Sequence, residues 1–88
     1  MIKEKFVLKN KTGLHARPAA LFVQTSNSFK SSINVCCNER KVDAKSILSV
    51  LTLGAEMSME IVIEINGSDE TEALQALAKL IENKFGEE

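Results

Sequence analysis

Met59-Glu60-Ile61-Val62-Ile63-Glu64-Ile65 is the stretch whose reading decides the fold. Met59, Ile61, Ile63 and Ile65 alternate with Glu60, Val62 and Glu64, the two-residue period of a strand with one face in a core and the other mostly in water. Asn66-Gly67 closes it with a turn signal. A strand wet on one side belongs to a sheet covered on one side, so the rest of the chain must supply partner strands and a layer of helices.

Working outward, Asp69 reads as the N-cap of a final helix, with Glu72 at its third position in the form of a capping box. Ala73, Leu74, Leu77, Leu80, Ile81 and Phe85 form the apolar stripe, and Gly86 is the stop. Upstream, Ile2 to Leu8 reads as a first strand, although Glu4 falls in phase with Ile2, Phe6 and Leu8. Ile33, Val35 and Cys37 alternate with Ser32, Asn34 and Cys36, and Asn38-Glu39 is a two-residue turn into a short strand over Arg40 to Asp43. The spacing predicts a helix from Ala16 to about Asn27, with Pro18, Leu21, Phe22 and Thr25, then Phe29 just beyond, inward and Arg17, Gln24 and Asn27 outward. A short helix follows Ala44-Lys45-Ser46 and ends at Gly54. The expected architecture is α+β: a two-layer open-faced sandwich with a mostly antiparallel four-stranded sheet and three helices on one face, residues 1–88 forming a single domain.

Composition narrows the function. With 88 residues and a formal charge of −1, the chain carries no general polyanion-binding surface. It has no Trp or Tyr and four Phe, so the stacking residues of an RNA-recognition sheet are missing. No apolar run suits a signal peptide or a membrane span, and a cytoplasmic protein is expected. Cys36 and Cys37 would point to opposite faces of a strand, which predicts free thiols without zinc spacing. No Gly-rich phosphate cradle is present, and neither cofactor nor metal is expected.

Chemistry concentrates in Gly13-Leu14-His15-Ala16-Arg17-Pro18-Ala19-Ala20, which holds the only histidine, the only proline and one of two arginines. Thr12-Gly13 is a turn signal, and Pro18 is tolerated in a first helical turn because its missing N–H would have no partner there. His15 then stands at a helix start, where free backbone N–H groups and the dipole favour an anion. A neutral imidazole accepts a phosphoryl group, and Arg17 adds donors to its oxygens. The plainer alternative is a polar residue at a helix start. Ser46, likewise, reads simply as an N-cap. The helix it opens carries surplus apolar surface: Ile47, Val50 and Leu51 make one core-facing stripe, leaving Leu48 and Leu53 outside it.

In GLHARPAA, in the DAKSIL segment around Ser46, in the following LTLG and in whole-chain length, the sequence resembles HPr, the histidine-containing phosphocarrier of the phosphoenolpyruvate-dependent sugar phosphotransferase system. The resemblance implies a sheet of order 1-4-2-3. It implies that the chain is a carrier and not an enzyme, a monomer whose His15 takes a phosphoryl group from enzyme I and passes it to IIA domains of sugar permeases. Ala16, Arg17, Ala20, Ile47, Leu48, Leu51 and Thr52 would form the partner-docking surface. Ser46 would be a regulatory phosphorylation site for an HPr kinase/phosphorylase. The alternative is a regulatory paralogue acting mainly by phosphorylation-dependent binding to a catabolite-control transcriptional regulator; paralogues of that kind can lack the histidine, so His15 favours the carrier. Three positions depart from the family pattern: Ser49 and Ser58 stand where glycine is frequent, and Met57 replaces a commoner polar or basic residue.

Overall fold

The structure, a computed structural model, describes residues 1–87. In chain order it contains β1 (Ile2–Val7), α1 (Ala16–Asn27), β2 (Ser32–Cys37), β3 (Arg40–Asp43), α2 (Ile47–Leu51), β4 (Glu60–Asn66) and α3 (Glu70–Glu82), then a 3-10 turn over Lys84–Gly86. The sheet is antiparallel throughout, in the order β1-β4-β2-β3.

The decisive strand sits in the middle. β4 pairs with β1 and β2 at once, placing Ile65 opposite both Ile2 and Ile33, Ile63 opposite Val35, and Ile61 opposite Phe6. These side chains share the face covered by the helices, where Phe22 of α1 and Leu77 and Ile81 of α3 are buried in the same cluster. The turn between β2 and β3 holds Asn38 and Glu39 at φ of 50° and 69°, the doubly left-handed geometry that two-residue hairpins require. β1 stops one residue short of the predicted end, yet Leu8 continues its ladder, donating to the Met59 carbonyl at 3.0 Å and accepting from the Ser58 amide at 2.7 Å. Glu4 stays exposed on this edge strand despite its phase.

The uncovered face is less wet than the alternation predicts. Glu64 is only 7% exposed, because Lys41 Nζ at 3.1 Å, reaching across β2 from β3, and Lys3 Nζ at 3.7 Å, from β1, close over its carboxylate. The Lys41 hydrogen bond holds that carboxyl below its ordinary pKa. Cys36 donates its thiol to Glu64 at 3.6 Å, and burial, followed by that carboxylate, pushes the thiol's pKa up. Cys37 points to the core, and both cysteines are free, as the alternation predicts.

Three helical details differ from expectation. In α1 the fully inward positions are Pro18, Ala19, Phe22 and Ser26, with Leu21, Thr25 and Phe29 half-buried at the margin. Ser26 is tolerated inside because its hydroxyl donates to the Phe22 carbonyl at 2.8 Å. The capping box of α3 does not form. Asp69 stands at the N-cap, but its carboxylate accepts from the Lys30 amide at 2.8 Å, the Ser31 amide at 2.9 Å and the Ser31 hydroxyl at 2.5 Å. Glu70, not Glu72, reaches back, accepting from the Gly67 amide at 3.3 Å and pairing with the N-terminal ammonium at 3.1 Å. Finally, α3 stops before Gly86, and Phe85 enters the core from the 3-10 turn with a φ of 53°.

Asp69 therefore staples the end of α1 to the start of α3. Its hydrogen bonds, that of the Ser31 hydroxyl foremost, lower its pKa from 3.8 to about 2. A carboxyl depressed on folding stabilises the native state above its unfolded pKa and loses that contribution as pH falls through the folded value. Asp69→Asn should lower the urea midpoint at pH 7, and the difference from wild type should shrink between about pH 4 and pH 2. A pH-independent difference would contradict the staple.

Candidate functional site

The approach to His15 is locked before the helix begins. Asn10 is buried, donates its side-chain amide to the Gly13 carbonyl at 2.8 Å, and accepts the Gly13 amide on its own carbonyl at 3.2 Å. Gly13 has a φ of +63° and lies against Ala55 and Glu56 so closely that any Cβ would overlap their backbone. Leu14 is fully buried, and its amide donates to the Ala55 carbonyl at 2.9 Å. From the far end of the chain, Glu87 accepts the Thr12 hydroxyl at 2.7 Å and the Thr12 amide at 3.4 Å, bonds that hold its carboxyl below the usual range. Asn10 closes the turn locally, three residues from its partner, whereas Glu87 did not stand out in the sequence because its partner Thr12 lies at the other end of the chain.

His15 is the N-cap residue of α1, extended at φ −123° and ψ 158°, half-buried, and without a side-chain capping bond. Ala16 follows at φ +48°, a left-handed conformation that costs a residue with a Cβ about 1–3 kcal/mol. The strain falls between the imidazole and the helix. Ala16 and Arg17 are exposed, Pro18 is buried, and no acidic residue occupies the first turn of α1. Free amides of a helix start, a cationic guanidinium and an imidazole open to solvent suit a doubly charged phosphoryl group.

The second predicted segment lies alongside, since α2 packs against α1. Asn27 donates to the Lys45 carbonyl at 3.1 Å, and Lys45 Nζ returns a bond to the Phe29 carbonyl at 2.8 Å. Ser46 is the N-cap of α2, its hydroxyl accepting the Ser49 amide at 3.3 Å. The inward stripe is narrower than predicted. Only Val50 of α2 is buried, whereas Ile47, Leu48 and Leu51 are 39%, 74% and 37% exposed. Leu53, expected outside, is buried instead. The helix spans five residues, and Gly54, at φ +64°, redirects the chain, so Leu53 no longer follows a helical angle. Ala20 and Thr52 are also exposed, which leaves every predicted docking residue at the surface.

Among the departures, Ser58 has a φ of 74°, where glycine would be unstrained, and its amide is tied to the Leu8 carbonyl. Met57 is 49% exposed, and Ser49 is half-buried within α2. Among the described residues no cluster of His, Cys, Asp and Glu could hold a metal ion, and no helix is long and apolar enough to cross a membrane.

Comparison with known proteins agrees with this geometry. The family model described as "PTS HPr component phosphorylation site" matches residues 2–83. A phosphocarrier protein HPr of Xylella fastidiosa is 42% identical over 88 residues, covering 100% of this chain and 99% of the relative. The crystal structure of an HPr from Thermoanaerobacter tengcongensis is 51% identical, covers 100% of this chain and 99% of that one, and superposes with a TM-score of 0.97. A structure described as an HPr dimer from the same organism is 50% identical, covers 99% of this chain and 100% of that one, and gives a TM-score of 0.80.

Two glycines provide a test of the lock on His15. At Gly54 a Cβ would meet nothing within 4 Å, so Gly54→Ala should cost only the left-handed backbone penalty, about 1–2 kcal/mol. Gly13→Ala adds overlap with the Ala55–Glu56 backbone and should cost clearly more, about 3 kcal/mol or above. Urea denaturation compares them, and equal losses would contradict the packing of Gly13.

Proposed function

The chain belongs to the HPr family of phosphocarriers of the phosphotransferase system, and on that premise we propose that His15 is the residue that carries the phosphoryl group. Enzyme I, charged by phosphoenolpyruvate, donates the group, and IIA domains of sugar permeases receive it. The N–P bond at the imidazole forms as the donor's bond to phosphorus breaks, and the exchange reverses at the acceptor. The observation that carries this reading is the half-exposed, uncapped His15 held at the start of α1 by a locked loop. Arg17 and the free amides of the first turn stabilise the transferred group. The protein itself contributes position: it presents one nitrogen to successive partners and needs no nucleotide, metal or cofactor for either step.

Docking falls to the exposed apolar residues of α2, Ile47, Leu48 and Leu51, with Thr52 and with Ala16, Arg17 and Ala20 of α1. Three exposed aliphatic side chains gathered on one short helix form an apolar patch that a partner would cover, which supports the assignment. The chain acts as a monomeric, single-domain cytoplasmic carrier. Ser46 is the regulatory site, phosphorylated by an HPr kinase/phosphorylase. Phosphohistidine is a phosphoramidate that passes its group onward, whereas phosphoserine is a stable ester suited to signalling. A phosphate on Ser46 places about 1.5–2 negative charges at the start of α2, beside Ile47 and Leu48. That charge repels acidic partners from the docking face.

Intact mass after incubation with phosphoenolpyruvate, Mg²⁺ and a general enzyme I should show one acid-labile phosphoryl group, absent from His15→Ala. Failure to transfer, with enzyme I active on a known carrier, would exclude the carrier role and point to regulation through Ser46 and a transcriptional regulator. In the same assay Ser46→Asp should slow acceptance by His15 about tenfold or more, a barrier increase near 1.4 kcal/mol. Wild-type rates for that variant would count against the charge mechanism.

A further inference from the structure

The docking helix α2 has five residues, too few to persist on backbone hydrogen bonds alone. Its N-terminal end is secured by Ser46 and by the Asn27–Lys45 contact. Its C-terminal end is held from outside by Arg40, the first residue of β3. One guanidinium nitrogen of Arg40 donates to the Thr52 carbonyl at 2.6 Å and another to the Thr52 hydroxyl at 3.3 Å. The same hydroxyl donates to the Ser49 carbonyl at 2.6 Å. The planar fork of arginine spans both oxygens of Thr52 and places its charge at the negative end of the helix. The chain of bonds therefore runs from the sheet through Arg40 and Thr52 to Ser49, whose amide is bound by Ser46.

We propose that Arg40 is a positioning residue for partner docking: by gripping Thr52 it fixes the C-terminal end of α2 and so the presentation of Leu48 and Leu51. The proposal rests on the carrier reading and extends the docking machinery to a residue on the sheet. Arg40 acts through Thr52 and not on the phosphoryl group, so its loss weakens recognition and leaves the chemistry at His15 alone. Without the grip, the Thr52 and Leu53 amides, bonded to the Leu48 and Val50 carbonyls at 3.2 Å each, sit on an end free to fray.

The test measures initial phosphoryl transfer from enzyme I against carrier concentration for wild type, Arg40→Ala and Arg40→Lys, alongside amide hydrogen exchange. Arg40→Ala removes both exposed hydrogen bonds to Thr52 and should raise KM roughly fivefold, with kcat unchanged. Thr52 and Leu53 should exchange faster while β4 amides do not change. Arg40→Lys, a point donor that reaches one oxygen at a time, should recover part of the KM. An unchanged KM in Arg40→Ala would overturn the proposal. A raised KM with unchanged Thr52 and Leu53 exchange would overturn it too, by assigning Arg40 to direct contact with the partner. Absence of transfer by the wild-type chain would remove the carrier reading itself, and with it this role.

Discussion

The geometry around His15 depends on one backbone contact, the hydrogen bond from the Leu14 amide to the Ala55 carbonyl. It joins the loop leading into α1 to the loop leaving α2, segments about forty residues apart in the sequence. Two conditions allow it. Gly13 must have no side chain, because Ala55 and Glu56 occupy the space a Cβ would take, and Leu14 must be buried so that the bond forms away from competing water. Asn10 closes the turn from inside and Glu87 from outside. With the backbone pinned on both sides, the left-handed strain at Ala16 persists where an unpinned chain would relax.

The same arrangement shows how a small fold keeps an imidazole partly exposed close to uncovered apolar surface. α2 buries Val50 fully but leaves Ile47 and Leu51 partly and Leu48 largely exposed, so its apolar burial alone anchors it weakly. Its position comes from its neighbours: Asn27 and Lys45 tie it to α1, Ser46 caps one end, and Arg40 grips the other. Stability is supplied elsewhere, by β4 and its two flanking strands under α1 and α3. Exposed side chains on α2 then add little to folding and remain free for recognition.

Polar staples tie separate segments together within each layer. Asp69 joins the exit of α1 to the entry of α3, and Glu64 gathers two lysines and a thiol on the uncovered face. Each replaced a simpler expectation. Asp69 has an N-cap's position, yet three donors from the Lys30–Ser31 turn outcompete the first turn of its own helix. Glu64 alternates as a solvent-facing residue, yet long lysine side chains from β1 and β3 cover it.

Alternation in Met59 to Ile65, the helical spacing after Ala16, the turn pairs and the glycine stops determined the elements and the single covered face, because those periods are local properties of the backbone. In GLHARPAA the helix-start amides, the imidazole and the guanidinium were legible as an anion-accepting group, since they act through their own types and near spacing. Only the tertiary structure decided what those elements touch. It turned Leu53 inward, because a five-residue helix ended by a left-handed glycine does not obey a helical wheel past its last turn, and it left Ile47 and Leu51 only partly covered. It chose Glu70 over Glu72, and it brought Arg40 to Thr52 and Glu87 to Thr12 from positions with no local signal. A hydrogen bond between distant segments depends on where the whole chain places both partners, and no local period encodes that.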